Sequence, residues 1–268
     1  MGIPTPTMTL TLDHGPLSTY PPREANYSVD GPPHKLLLTP FPRRVRAVIA
    51  GETVLDSRRG MLLHESNILP QLYVPEEDVR AEFLELTDQR THCPFKGDAA
   101  YRSIRVGDRV AENALWHYPE PLEPAAWLRG LVGPYWDRFD EWWDEDERVH
   151  GHLRDPYHRV DVRDSTRHVV VRAGDEVVAD SIRPKLLSET GLPNRYYLPR
   201  EDVRAGLMPS DTSSHCPYKG DASYWTVAGI QDAAWSYAEP LEDAVKAGRH
   251  VCFLHDDLTI EVDGEPAA

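Results

Sequence analysis

The sequence predicts a mainly β protein made of two homologous, compact antiparallel domains. One observation is a ten-residue block that occurs twice, as "HCPFKGDAAY" at 92–101 and "HCPYKGDASY" at 215–224, with eight of the ten positions identical. The other is an alternation of apolar and polar residues with a period of two, which is typical of strands. The block is therefore part of a larger duplication.

The duplication covers most of the chain. A shift of 124 residues aligns His34 with His158 and "EDVRA" at 77–81 with the same letters at 201–205, and a smaller shift aligns "WHYPEPLE" with "WSYAEPLE". The changes of length between these segments fit surface turns. Two domains of about 100 residues each are expected, and we expect a pseudo-twofold relation between them.

The repeat sets the predicted boundaries. Copy one spans 34–135 and copy two spans 158–264. Residues 1–33, which are rich in Pro, Thr and Ser, are expected to form an extended arm. The acidic segment 136–157 contains Trp142 and Trp143 and is interpreted as a linker with an aromatic anchor.

Strands are expected to open each domain. The segments "RRVRAVIAGETVLDS" and "RHVVVRAGDEVVADS" alternate on both sides of a glycine-containing turn, as β-hairpins do. One short helix per domain is predicted after Pro75 in copy one, because proline at a first helical position followed by acids favours a helix start.

The composition excludes some partners. A formal net charge of −15 without a basic cluster argues against nucleic acid and against an anionic membrane surface. The N-terminal residues lack the basic flank and apolar run of a secretory signal, so we expect a cytoplasmic protein. The three cysteines are expected to be reduced thiols, because two of them occupy equivalent positions in a repeat.

The thiols in the two blocks are weak catalytic candidates. Cys93 and Cys216 each follow a histidine directly, and adjacent side chains of a strand point to opposite faces, so His92 is a poor base for Cys93. A small buried apolar thiol is the preferred interpretation. A metal site is a weaker alternative, because it would require four ligands shared between the copies: His92, Cys93, His215 and Cys216. No cofactor is evident from these residues.

The Lys-Gly-Asp turn is the stronger candidate for ligand binding. A glycine lets a small anion approach the backbone, and a lysine beside it supplies charge. A glutamate at the end of an apolar strand and several aromatic residues are expected to line the same site. A turn whose lysine only pairs with an acid is an equally weighted alternative. The candidates are Lys96, Asp98, Tyr101, Glu65, Trp116 and Tyr118 in copy one, and Lys219, Asp221, Tyr224, Glu189, Trp235 and Tyr237 in copy two.

Three motifs occur in both copies: "YVPEEDVR" and "YLPREDVR", "CPFKGDAAY" and "CPYKGDASY", and "WHY" and "WSY". In this combination the chain resembles the family named domain of unknown function 427, as a tandem duplication. The resemblance implies a compact β-rich fold, and the family's nucleotidyltransferase-like label implies nucleotidyl transfer. That chemistry needs two or three carboxylates on Mg²⁺, and each block offers only Asp98 or Asp221 with a distant glutamate.

Three functional hypotheses follow. The first is a protein that binds a small anionic ligand at the repeated turn. The second is an enzyme of phosphoryl or nucleotidyl transfer, or one that uses the thiols. The third is an interaction module whose partner docks on the acidic connector around Trp142 and Trp143.

Overall fold

The structure is a computed structural model that describes residues 10–11, 15–20, 26 and 31–267. Most of the predicted arm lies outside the described residues. The part of it that is described contacts the first domain at two places: Asn67 N donates to Thr11 O at 2.9 Å, and Lys35 Nζ donates to Ser18 O at 3.0 Å. The boundary between the two compact units falls between Asp155 and Pro156.

The first domain is built from short antiparallel strands. Five strands precede the repeated block: β1 Leu36–Pro40, β2 Val45–Ile49, β3 Glu52–Ser57, β4 Met61–Glu65 and β5 Ile68–Pro75. Two strands contain parts of the block, β6 Leu84–Cys93 and β7 Gly97–Val106, and four follow it: β8 Arg109–His117, β9 Leu131–Pro134, β10 Glu141–Asp144 and β11 Glu147–Val149.

The second domain repeats this series. Its strands are β12 Val160–Asp164, β13 Val169–Ala173, β14 Glu176–Ser181, β15 Lys185–Glu189, β16 Leu192–Pro199, β17 Leu207–Cys216, β18 Gly220–Val227, β19 Ile230–Tyr237, β20 His250–Phe253, β21 Leu258–Val262 and β22 Glu265–Pro266.

The strands of each domain pair into two sheets with the same topology. Among the described residues, the first domain has a seven-stranded sheet in the order β1-β4-β5-β9-β8-β7-β6 and a four-stranded sheet in the order β11-β10-β2-β3. The second domain has the orders β12-β15-β16-β20-β19-β18-β17 and β22-β21-β13-β14. The prediction of two similar, mainly β antiparallel domains is confirmed.

The predicted hairpins form because the turn residues allow them. Strands β2 and β3 pair across Ala50 and Gly51, whose φ angles are 49° and 79°. Two successive residues at positive φ match the right-handed twist of paired strands, and Gly51 takes this conformation without a Cβ clash. The equivalent hairpin is formed by β13 and β14.

The short helix predicted after Pro75 is a single 3₁₀ turn, Glu76–Asp78, and its counterpart is Arg200–Asp202. Val79 then forms a bridge to Leu55, so pairing with β3 ends the turn before it can lengthen. Longer 3₁₀ segments lie elsewhere, at Glu123–Leu128 and Glu242–Ala247. Further 3₁₀ turns are Ala81–Phe83 and Trp136–Arg138.

The segment interpreted as a linker belongs in large part to the first domain. Strand β10 pairs with β2, and Trp142 is buried in the core with 4% of its surface exposed. The acids that suggested a solvated linker occupy the β10–β11 turn, where Glu145 has a φ of 51°. Asp263 is its equivalent in the second domain, with a φ of 54°. The repeat therefore continues to residue 149 and does not stop at 135.

Each domain has two apolar clusters. In the first domain, one lies between the two sheets and includes Val45, Ala47 and Leu115, and the other lies on the opposite face of the large sheet and includes Leu63, Tyr73 and Tyr118. This second cluster surrounds the repeated block. None of the helices in the described part of the chain has the length and apolarity needed to cross a lipid bilayer.

Candidate functional site

The repeated block forms a tight connection between two strands of the large sheet. Lys96 N donates to Cys93 O at 3.3 Å, and Lys96 O accepts from Leu122 N at 3.0 Å. Gly97 has a φ of 104°, and a Cβ there would lie 3.3 Å from Glu120 O. A glycine is therefore required by both conformation and space, and Gly220, with a φ of 95°, meets the same constraint in the second domain.

The lysine of the block is paired with the predicted glutamate. Lys96 Nζ donates to Glu65 Oε2 at 2.5 Å, and the two side chains are only 11% and 4% exposed. Lys219 and Glu189 make the same buried pair. Each lysine charge is thus compensated by a carboxylate within the domain.

A histidine completes each pair. His34 Nε2 lies 2.8 Å from Glu65 Oε1, and His158 Nε2 lies 3.0 Å from Glu189 Oε1. Both oxygens of the glutamate are therefore engaged. The ring of His34 stacks on Phe95 with 3.7 Å between the ring centroids and an interplanar angle of 8°. We call His34, Glu65 and Lys96, and their equivalents His158, Glu189 and Lys219, the His-Glu-Lys triads.

The triad in the second domain favours an ionised glutamate. Burial works against the charged carboxylate of Glu189, but the hydrogen bond with His158 and the positive charge of Lys219 outweigh it. Together they hold the pKa of Glu189 below its ordinary value. Ion pairing offsets the cost of removing these charges from water.

Predicted aromatic residues pack around the triads. Lys96 Nζ lies 5.9 Å from the centroid of the Tyr118 ring, and burial raises the pKa of the Tyr118 hydroxyl far above its ordinary value. The Tyr101 hydroxyl lies 2.8 Å from Thr91 Oγ1. Burial likewise raises the pKa of Tyr237 in the second domain. Tyr118 and Tyr237 therefore remain protonated at neutral pH.

The predicted tryptophans are held by a tyrosine. Trp116 Nε1 donates to Tyr73 OH at 2.8 Å, and Trp235 Nε1 donates to Tyr197 OH at 3.1 Å. A Cβ at Gly133 would lie 2.4 Å from the Trp116 ring, so the indole lies directly on the backbone of β9. Trp116 and Trp235 therefore have a packing role in the structure.

The remaining candidates lie away from the lysines. His92 and Asp98 form an exposed pair on the surface, with His92 Nδ1 2.6 Å from Asp98 Oδ1. His215 and Asp221 make the equivalent contact. Cys93 packs against the cluster on the triad side instead. His92 therefore faces away from the Cys93 thiol.

Cys93, Cys216 and Cys252 are free thiols. In the residues that the structure describes, no three His, Cys, Asp or Glu side chains are grouped so that they could hold a metal ion.

Sequence reasoning missed the histidines of the triads. His34 and His158 align in the repeat, and this alignment is the sequence signal that marks them. It also missed a cleft on the second domain, which has a volume of about 450 Å³ and is lined by the predicted residues Tyr224 and Tyr237. The cations of this cleft are not shared with the first domain, so a search for identical residues could not find them.

A comparison with protein-family models finds a match for each of the two copies. The family described as domain of unknown function (DUF427) matches residues 37–145 and 161–264. The chain belongs to DUF427. The first match includes β10, which agrees with the assignment of that strand to the first domain, and the tandem duplication is confirmed. A search of curated proteins finds no match.

Proposed function

We propose that this DUF427 protein binds a small anionic ligand in the cleft of its second domain. Strand β18 connects the Lys-Gly-Asp turn to the cleft, because Ser223, three residues after Gly220 of the turn, lines the cleft. Its volume of about 450 Å³ is within the usual range for small-molecule sites. The turn anchors the strand, and the cleft offers the binding groups.

The observation that carries the proposal is a pair of uncompensated cations, Arg200 and Arg249, which line the cleft. Among the described residues, neither Arg200 nor Arg249 forms an ion pair with a carboxylate. The Arg200 guanidinium lies 4.3 Å from the centroid of the Trp225 ring, which orients it without neutralising it. In a chain with a net charge of −15, such a group favours an anion.

The neutral groups of the cleft suit the same ligand. Trp225 Nε1 donates to Ser236 Oγ at 2.9 Å, and this bond holds the indole in place. Ser210 and Ser223 add hydroxyl groups, which donate hydrogen bonds to phosphate or carboxylate oxygens. Aromatic rings from Tyr224 and Tyr237 provide apolar surface beside the cations.

The first domain differs at the equivalent positions. Glu76 stands where the second domain has Arg200, and Arg102 stands where it has Trp225. Arg102 and Glu76 form an ion pair of 2.7 Å, so the charges cancel within the domain. Gly130 occupies the place of Arg249. The proposal therefore assigns one ligand site to the second domain, although the triads are present in both domains.

The proposal keeps two further expectations. One is a cytoplasmic protein, supported by the free state of Cys93, Cys216 and Cys252. The other, that the duplication makes an internal pseudo-dimer, stays a prediction.

Calorimetry with inorganic phosphate, a nucleoside monophosphate, a sugar phosphate and a dicarboxylate tests the site. At least one anion is expected to bind to the wild type, and Arg200→Gln/Arg249→Gln is expected to weaken it by at least about tenfold, since charged hydrogen bonds contribute about 1.5–3 kcal/mol each. Arg159→Gln is the matched control, because Arg159 is an arginine of the same domain whose side chain is 78% exposed. Equal affinity in the double variant, or no binding to the wild type, would refute the proposal.

A further inference from the structure

A second pocket lies between the two sheets of the second domain. It has a volume of about 280 Å³ and shares no lining residue with the cleft of the proposed function. Its walls are mainly apolar and come from four strands: Val169 and Val171 of β13, Leu198 of β16, Phe253 of β20, and Leu258 and Ile260 of β21. It is therefore an opening in the apolar layer that joins the sheets.

The first domain shows what fills the equivalent place. Ile260 pairs with Val171, and Trp142 pairs with Ala47. Val171 and Ala47 are equivalent in the repeat, because they are 124 residues apart. Ile260 and Trp142 therefore occupy the same position in the two domains, on the strand next to the hairpin.

Trp142 is part of an aromatic plug in the first domain, which consists of Trp136, Phe139 and Trp142. The centroid of the Trp142 ring lies 4.0 Å from that of Trp136 and 4.8 Å from that of Phe139. Trp142 Nε1 donates to Trp136 O at 3.1 Å. The plug closes the space between the sheets on this side of the domain.

The second domain has lost the plug. His255 stands in the place of Trp136, and Ile260 stands in the place of Trp142. Leu258 stands in the place of Phe139, because Leu258 N donates to His255 O at 3.1 Å as Phe139 N donates to Trp136 O at 3.4 Å. Three large rings are thus replaced by one imidazole and two branched alkyl groups. On the β16 and β20 walls the second domain has the larger residues, Tyr196 in place of Leu72 and Phe253 in place of Pro134, so the exchange opens the pocket on the β21 side.

From this comparison we infer that the pocket binds a small, flat, uncharged aromatic molecule about the size of an indole. A ring that packs against the apolar part of the wall gains dispersion contacts with it. A charged group placed against these apolar side chains is disfavoured, because nothing there repays its desolvation. The indole of Trp142, which occupies the equivalent position in the first domain, has the size and shape that we expect of the ligand.

The polar lining residues are Asn194, Arg195 and His255, and the histidine gives the pocket a hydrogen-bonding preference. The ring of His255 accepts a hydrogen bond from Asp257 N at Nδ1, with a distance of 3.1 Å. In the neutral imidazole the proton is then on Nε2, which makes this lining residue a hydrogen-bond donor. Aromatic rings with one acceptor, such as a phenol or a ring ketone, are accommodated in addition to a plain ring.

Fluorine NMR with 5-fluoroindole is the direct test. The full-length wild type is expected to broaden or shift the fluorine signal, and unlabelled indole is expected to reverse the change. Ile260→Trp, which rebuilds part of the plug, is expected to weaken binding by at least tenfold. Val245→Trp adds the same ring at a position of the same domain that is 64% exposed, and it is expected to bind like the wild type.

The controls separate the outcomes. Ile260→Phe is a smaller filling and is expected to reduce affinity even if Ile260→Trp does not fold. Replacing Arg200 and Arg249 with glutamine is expected to leave 5-fluoroindole binding unchanged, because the two sites share no residues. A wild type that leaves the signal unchanged, an Ile260→Phe variant with unaltered affinity, or tighter binding of indole-3-acetate than of indole would overturn the inference.

Discussion

Lys96 Nζ donates to Glu65 Oε2 across 2.5 Å, and both side chains are almost completely withdrawn from water. This contact, repeated by Lys219 and Glu189, joins the turn of the block to the end of the β4 or β15 strand. A lysine that was a candidate for holding a ligand therefore holds the fold. The ionic groups that we propose for the ligand are Arg200 and Arg249 of the second domain.

Removing one member of a triad is expected to be costly. Lys219→Met leaves the Glu189 carboxylate buried without its cation, and we expect the second domain to lose about 3–5 kcal/mol of stability. Hydrogen exchange of peptides from that domain measures the loss. Lys246→Met is the control, because Lys246 is exposed in the same domain. Lys219→Met/Glu189→Leu is expected to recover part of the loss, and failure to recover would indicate that packing, not charge, is responsible.

The lowered pKa of Glu189 predicts a loss of stability in acid. A carboxyl whose pKa is lower in the folded than in the unfolded state stabilises the fold above its ordinary pKa of 4.5 and ceases to do so as the pH falls through the folded value. Denaturation of the second domain is therefore expected to become easier from about pH 5 downward. Glu189→Gln should flatten this part of the profile. An unchanged slope would show that other carboxyls dominate it.

The two adjacent tryptophans of β10 are expected to differ. Trp142→Ala removes a buried ring from the core of the first domain and should cost about 3–5 kcal/mol. Trp143 is partly exposed and contacts Arg46, with 5.5 Å from the guanidinium to the ring centroid, so Trp143→Ala should cost about 1 kcal/mol. Urea denaturation of both variants provides the comparison. Equal small losses would support the interpretation of this segment as a linker.

The third thiol is expected to be inert. Burial raises the pKa of Cys252 to about 12, and only 1% of its surface is exposed. Because the thiolate is the reactive form, iodoacetamide at neutral pH should leave Cys252 unmodified in the folded protein and modify it after unfolding. Mass spectrometry of the peptide that contains it reads the result. Rapid labelling under native conditions would require the second domain to open locally.

The sequence predicts the architecture well, because identical residues in the two copies reveal the duplication and the alternation of apolar and polar residues reveals the strands. The hairpin at Ala50 and Gly51 and the pairing of Lys96 with Glu65 follow from turn chemistry and charge. The assignment of β10 to a linker is the clearest error. Its acids are concentrated in the turn that follows the strand. The buried position of the strand is Trp142 in the first copy and Ile260 in the second, so a search for identical residues does not detect the strand.

The candidate site is harder to predict, for a physical reason. Sequence can bring a lysine, a glutamate and aromatic rings into one region, but whether the space among them is open or filled depends on packing. The rings of Tyr118 and Trp116 fill it in the first domain. The cations of the cleft escape notice because Arg200 and Arg249 differ from their counterparts Glu76 and Gly130. Both proposed sites therefore depend on residues that differ between the two copies.

The aromatic plug gives the first domain a spectroscopic signature of its own. The Trp136 and Trp142 rings, 4.0 Å apart and tilted by 57°, are close enough for their electronic transitions to couple. Such a pair produces a circular dichroism couplet that isolated indoles do not. The second domain has no tryptophan at either equivalent position. Loss of the couplet on heating thus reports the melting of one half of the chain, without any label.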